Sequence, residues 1–233
     1  MFKKETFIDG KLSSGRIYPE FFPIDSNDSV VNFGCGQGVQ ALIYAGRFKE
    51  MIGIDINCEK LERDSVKVKN YKTLCANVEK VPLKPEIFNK AIAIDIIEHV
   101  QNPSKFCAEI YRLLKDNGEL LITFPMTYDK YRDFISWIGR FFFGRKKLKS
   151  VGWNPDMHNQ RNSPTKWINM VKLNGFNLEK MRATTLFPPL HLFGIPRFWF
   201  NIKIIHKIDS FFCKTPIIRR LGLTMMCVFK KKL

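Results

Sequence analysis

The stretch Val30-Val31-Asn32-Phe33-Gly34-Cys35-Gly36-Gln37-Gly38 decides the fold. Three apolar residues around Asn32 read as a short buried strand, and three glycines at alternate positions then break it. The run Val39 to Arg47 that follows at once reads as a helix. Strand, glycine turn and helix in that order let a backbone approach a cofactor closely, because no Cβ stands in the way. The spacing is G-x-G-x-G, not the G-x-G-x-x-G of dinucleotide-binding turns. Alone the turn is a weak signal, and it needs support from the rest of the chain.

That support comes downstream. Met51 to Ile56 reads as a second buried strand carrying an acid, Asp55, 19 positions beyond Gly36. An acid at this distance and at a strand's carboxyl end is placed to accept hydrogen bonds from ribose hydroxyls. The plainer alternative is a helix N-cap, with Asp55 or Asn57 starting a helix over 58–70. Lys72 to Ala76 reads as a third strand, followed by Asn77-Val78-Glu79 and the turn Val81-Pro82-Leu83. Asn77 suits either the amino edge of an adenine ring or a turn.

Phe88 to Ile94 reads as a fourth strand, ending in Asp95-Ile96-Ile97-Glu98-His99-Val100. Asp95 falls where an open α/β sheet puts its ligand crevice. Pro103-Ser104 opens a helix through Leu114, with Phe106, Ile110, Leu113 and Leu114 on one face. Asp116-Asn117-Gly118 reads as a helix stop and turn, and Glu119 to Phe124 as a fifth strand closed by Pro125. This alternation predicts an α/β fold, a doubly wound sheet with parallel strands. Residues 1–29, with Gly10, Gly15, Pro19 and Pro23, read as an irregular N-terminal arm. It either lies over the cofactor site or is a plain lead-in, with Tyr18 to Ile24 packed.

At 233 residues the chain suits one domain with elaborations, over residues 30–233. The six cysteines form no C-x-x-C pair, which predicts reduced, mostly buried thiols and a cytosolic setting. Met1-Phe2-Lys3-Lys4-Glu5 leads into no apolar stretch, so no signal peptide is expected. No run approaches the roughly 20 apolar residues that span a bilayer. Charge is uneven. Residues 1–125 hold 17 Lys+Arg and 17 Asp+Glu, while residues 126–233 hold the other 21 of the 38 basic residues and 5 of the 22 acidic ones. All of the +16 net charge and all four tryptophans therefore fall in the second part, which points to an anionic partner.

Taken together, Val30–Gly38, Ile52–Asp55, Asn77-Val78-Glu79, Phe88–Val100 and Leu113–Phe124 resemble the class I S-adenosylmethionine-dependent methyltransferases. The resemblance is to the small-molecule type with E-H after the fourth strand. His158-Asn159-Gln160-Arg161-Asn162-Ser163-Pro164 and Gly175-Phe176 extend it more weakly. It implies a Rossmann-like sheet of about seven strands, six parallel and one antiparallel, with helices on both faces. The last strand is inserted beside the fifth, and the final two are expected near Leu178–Thr184 and Thr224–Lys230. The implied cofactor is S-adenosyl-L-methionine, and no metal is implied. Gly34, Gly36 and Gly38 would line its methionine part, Asp55 its ribose, Asn77 and Val78 its adenine, and Asp95 its methionine end. Cys35 and Ile56 complete the expected cofactor-binding set. Asn77 stands where the family commonly has Asp.

Methyl transfer from a sulfonium is an in-line displacement, so a base is needed only for an un-ionised hydroxyl or a protonated amine. His99 and His158 are the candidates; each also has a purely structural reading, His99 in packing and His158 in fixing its loop. The expected acceptor is a small, lipid-like or glycan-linked molecule methylated on oxygen. The alternatives are an RNA methyltransferase and a non-catalytic S-adenosylmethionine-binding protein. Cap insertions are expected at about 126–162 and 186–222. Within them, 131–149 and 186–212 combine aromatic residues with Lys and Arg, as a peripheral element on an anionic membrane surface would. An apolar lid with a solvated basic rim accounts for the same pattern. Nucleic acid is disfavoured as substrate: D-I-I-E-H is not the [DN]-P-P-[YFW] pattern of base amino-group methylation.

Overall fold

A computed structural model of the chain describes residues 19–126, 160, 162–183, 208, 211–216, 219 and 224–232. In chain order the elements are β1 (Ser29–Phe33), α1 (Val39–Ile43), β2 (Glu50–Asp55), α2 (Cys58–Asp64), β3 (Tyr71–Cys75) and β4 (Phe88–Ala93). Then come α3 (Pro103–Leu113), β5 (Leu114–Pro125), α4 (Pro164–Leu173), β6 (Phe176–Ala183) and β7 (Thr224–Lys231). Among the described residues they form one seven-stranded sheet of order β3-β2-β1-β4-β5-β7-β6. The pairs β1–β2, β2–β3, β1–β4 and β4–β5 are parallel. Strand β7 lies antiparallel between β5 and β6. This is the doubly wound arrangement expected from the sequence, with the late strand inserted beside the fifth.

The sheet is buried on both faces. Along β1, Val31 and Phe33 join one apolar cluster and Val30 the other. That is why β1 reads as an uninterrupted apolar run and not as an alternating one. One face is covered by α3 and α4, through Phe106, Ile110, Leu113, Trp167 and Val171. Phe33 meets Phe106 edge-on, with ring centroids 5.4 Å apart, and Trp167 stacks on Phe124 at 6.2 Å. The other face holds Phe22, Ile24, Tyr44 and Phe48, and the Tyr44 hydroxyl donates to the Phe22 carbonyl at 2.8 Å. Phe22 and Ile24, from the segment before β1, are thus part of the core.

Local chemistry sets the helix ends. Asn102 caps α3 by accepting from the Lys105 N–H, and Ser163 caps α4 by accepting from the Lys166 N–H, each with Pro next in the chain. Two helices are shorter than the expected Val39–Arg47 and 58–70. Helix α1 stops before Gly46, whose φ is +76°. Helix α2 stops at Ser65, which is extended, and Val66 N–H then donates to the Gln37 carbonyl. The β-branched residues Val66 and Val68 favour that return over another helical turn. The expected stop at Asp116-Asn117-Gly118 is a bulge within β5. Leu114 pairs with Phe88 and Glu119 with Lys90, and Asn117 sits between them at φ +59°.

Strand order reverses between β1 and β4. Their carboxyl ends therefore open side by side, where an open α/β sheet forms its ligand crevice.

Candidate functional site

The glycine turn follows β1 directly. It is pinned from below by the Cys35 N–H, which donates to the Ile54 carbonyl at 3.0 Å, and closed by Gly38 N–H on the Cys35 carbonyl at 2.8 Å. Its three glycines are required for different reasons. A Cβ on Gly34 would lie 2.7 Å from Ile96 Cδ1, and one on Gly38 would lie 2.7 Å from Tyr71 Oη. Those two glycines make room for the protein's own side chains. Gly36 faces open space: the nearest atom to its Cβ position is Lys60 Nζ, 3.9 Å away. With φ at +53°, it is the glycine whose bare outer side is free to receive a ligand.

Asp55 ends β2 and reaches back to this turn. Its carboxylate accepts from the Gly36 N–H at 2.9 Å and from the Asn57 N–H at 3.0 Å. The cap of α2 is Asn57, whose Oδ1 accepts from the Lys60 N–H at 2.9 Å. The helix-cap alternative for Asp55 is thereby assigned to its neighbour. Ile56, next in the chain, is 72% exposed, an apolar side chain held out on the crevice rim.

Asn77 is exposed, and its Oδ1 accepts from the Glu79 N–H at 2.8 Å, a turn role. Val78 is buried and belongs to the core cluster that contains Phe106. Cys35 is also buried, and burial pushes its thiol up to about 11 despite the adjacent Tyr71 hydroxyl, which acts the other way. Its side chain lies under the turn beside Gly53, so its contribution to the crevice is backbone.

Asp95 has a left-handed φ of +49°, which few non-glycine residues adopt. Thr123 on β5 holds it there. The Asp95 N–H donates to Thr123 Oγ1 at 2.8 Å, and Thr123 Oγ1 donates to Asp95 Oδ1 at 3.0 Å. His99 is half-buried on the same loop, its N–H donating to the Ile96 carbonyl at 2.9 Å. Glu98 is buried, and its carbonyl accepts from the Gln160 N–H. Gln160, shortly before α4, is thereby joined to the E-H loop. His158 lies outside the described residues, as do 131–149 and most of 186–212.

The structure brings Gly34, Gly36, Asp55, Asp95 and His99 to the carboxyl ends of β1, β2 and β4. Sequence reasoning missed Thr123, Gly53 and Tyr71. Gly53 carried a readable signal, since a lone glycine inside a strand marks a close approach. Here Tyr71 Oη and Cys35 Sγ occupy the space its Cβ would need. Thr123, a lone hydroxyl in a buried apolar strand, carried another.

One expectation is corrected. The cysteines are not all reduced: Cys58 and Cys75 form a disulfide, with Cα atoms 5.2 Å apart. The parallel pairing of β2 with β3 brings the end of β3 beside the start of α2, a contact that a spacing of 17 residues does not reveal. Cys35, Cys107, Cys213 and Cys227 are buried and outside this disulfide. A cleft of 260 Å³ lined by Asp28, Asn89, Lys90 and Asp116 lies at the opposite, amino-terminal edge of the parallel strands and shares none of the crevice residues.

A family profile described as "Methyltransferase domain" matches residues 31–122, from the strand before the glycine turn to the fifth strand. Over residues 31–122 the chain is similar to this methyltransferase-domain family. Curated relatives of this domain include (S)-coclaurine N-methyltransferase of Papaver somniferum, 27% identical over 50% of this chain and 35% of that protein. Another is the mitochondrial ubiquinone biosynthesis O-methyltransferase of Candida albicans, 29% identical over 54% of this chain and 40% of that protein. The chain thus spans two-fifths or less of these relatives' lengths. A solved structure described as a putative methyltransferase from Bacillus halodurans superposes with a TM-score of 0.58 at 16% identity. That likeness covers 92% of this chain and 96% of the other, and so extends the methyltransferase fold beyond the matched domain.

The crevice fits the cofactor that this domain type uses. It offers an open glycine side at Gly36, a carboxylate at Asp55 and an exposed apolar face at Ile56.

Proposed function

We propose that this protein is an S-adenosylmethionine-dependent methyltransferase that methylates an oxygen of a small, lipid-like or glycan-linked acceptor. The observation that carries the reading is the Asp55 carboxylate joined to the Gly36 N–H beside an open glycine face. When bound, the cofactor supplies an electrophilic methyl group on a sulfonium. Asp55 would accept from the ribose hydroxyls, Ile56 would cover an apolar face of the adenosine, and the bare side of Gly36 would leave room for the methionine part. Asn77 and Val78 would flank the adenine, Asn77 by its amide and Val78 by its backbone. Asp95 would face the methionine end from its fixed conformation. Alignment and exclusion of water are the protein's main contributions to such a transfer.

An acceptor hydroxyl needs a proton acceptor, and His99, on the loop that follows β4, is the candidate among the described residues. His158 is the second candidate. The preference for oxygen and for a lipid-like acceptor rests on the E-H loop and on the aromatic, basic composition of 131–149 and 186–212. The same composition supports an anionic membrane surface as partner, with each Lys or Arg adding about 1 kcal/mol near such a surface. Among the described residues no helix is long and apolar enough to cross a membrane.

The test has two parts. Calorimetry with S-adenosylmethionine and its demethylated product is expected to show binding of both, and binding of neither removes the cofactor reading. Radiolabelled methyl transfer to fractionated lipid, glycan and RNA extracts is expected to label the lipid or glycan fraction. Label in RNA alone would replace the acceptor class, and cofactor binding without label in any fraction would favour a binding protein. Flotation with anionic vesicles at rising salt, beside a tRNA gel shift, separates the two surface partners.

A further inference from the structure

All six cysteines lie among the described residues, and they divide cleanly. Four are buried, while Cys58 and Cys75 are exposed and adjacent. A dissolved disulfide therefore reaches this pair and not the others. Cys58 is the first residue of α2 and Cys75 the last of β3. Between β2 and Cys58 lie only Ile56 and Asn57. The Asn57 N–H is one of the two donors on the Asp55 carboxylate, and the Asp55 carbonyl accepts from Ala76, the residue after Cys75. Both sulfurs sit near the Ile56 carbonyl oxygen, at 3.8 and 3.9 Å, so the two S–H groups of the reduced form have an acceptor in the same place. The pair brackets the three residues that present Asp55 and Ile56 to the crevice.

We propose that Cys58 and Cys75 are a thiol–disulfide exchange site on the ribose rim of the crevice, closed by a small-molecule disulfide such as glutathione disulfide, and that closure tightens cofactor binding. The coupling rests on the assignment of Asp55 to the cofactor. In the exchange one thiolate attacks the small disulfide and releases one thiol. The second cysteine then attacks the mixed disulfide and releases the other. The Cys58–Cys75 bond forms, the bond of the small disulfide breaks, and two electrons and two protons leave with the two released thiols. Closure ties α2 to β3 across the Asp55–Asn57 link and holds the carboxylate in its binding position before the ligand arrives. Removing motion from a binding loop raises affinity by lowering the ordering cost.

The test uses the full chain equilibrated in glutathione buffers from reducing to oxidising. Peptide mapping is expected to find the Cys58–Cys75 crosslink in the oxidising buffers and not in the reducing ones. Calorimetry is expected to give S-adenosylmethionine a dissociation constant roughly threefold to tenfold lower in the oxidised form. A C58S/C75S double variant is expected to match the reduced wild type in every buffer. Absence of the crosslink at all glutathione ratios overturns the exchange site. Equal affinity in the two forms overturns the coupling alone. Crosslinking without cofactor binding in either form overturns the coupling and the cofactor assignment together.

Discussion

Asp55 carries two backbone N–H bonds and would carry the ribose as well, so its substitution tests the cofactor reading most directly. A hydrogen bond to a charged group contributes about 1.5–3 kcal/mol, so Asp55→Ala is expected to weaken S-adenosylmethionine binding about 10- to 100-fold by calorimetry. Asp55→Asn keeps one acceptor oxygen and is expected to lose less. Thr123 is tested differently. The left-handed conformation of Asp95 costs about 1–2 kcal/mol, and the two bonds with Thr123 offset it. Thr123→Val keeps the side-chain shape but removes both bonds. It is expected to lower kcat/KM for methyl transfer about tenfold, while Thr123→Ser restores it. A valine variant with unchanged kinetics would show that the geometry of Asp95 does not matter to the reaction.

At the scale of the element, the glycine turn and β2 form one unit. Gly36 and Gly53 are both intolerant of a Cβ, for opposite reasons. At Gly36 the space is open and only the backbone conformation resists, so Gly36→Ala is expected to cost about 1–2 kcal/mol of stability. Its effect on cofactor affinity is expected to be larger than its effect on Tm. At Gly53 a Cβ would lie 2.8 Å from Cys35 Sγ and would collide with the Tyr71 hydroxyl. Gly53→Ala is therefore expected to destabilise by about 1–3 kcal/mol through overpacking, and Tyr71→Phe combined with it is expected to recover part of the loss. Thermal unfolding beside calorimetry separates the two cases. Equal losses of stability and affinity at both positions would refute the division of roles.

Across the whole molecule, burial of acidic groups sets a response to alkali. Burial pushes the Cys35 thiol up to about 11 and the Cys107 and Cys227 thiols up to about 12, from an ordinary value of 9.0. The Tyr44 and Tyr71 hydroxyls are pushed up as well, again chiefly by burial. The folded chain keeps these protons where the unfolded chain releases them. The stability they contribute is complete below pH 9 and is lost as pH rises through 9 to 12. Tm is expected to fall steadily over that window, and Cys107→Ala is expected to flatten the fall while lowering Tm at neutral pH.

Much of this molecule was legible from neighbouring residues alone. The first four strands begin and end within one residue of their sequence-read limits, because apolar runs and glycine breaks act over a handful of positions, whereas β5 starts at Leu114, five residues before the expected Glu119. Helices α1 and α2 were over-extended, because the residues that end them answer to partners elsewhere: Val66 N–H bonds to Gln37. Asp55 was placed from spacing, and its spacing was informative because one strand, one turn and one helix separate it from Gly36.

The sequence by itself determined the order and kind of the elements and the acid that faces the glycine turn, since those follow from short-range periodicity and backbone freedom. Only the tertiary structure decided that Tyr71 fills the space beneath Gly38 and Gly53, that Thr123 holds Asp95, and that Cys58 meets Cys75. Tyr71 with Gly53 and Thr123 with Asp95 join neighbouring strands of the sheet or their ends, and Cys58 with Cys75 joins the start of α2 to the end of β3. Adjacency in a parallel sheet is set by the packing of crossover helices over the whole core, which no local stretch encodes.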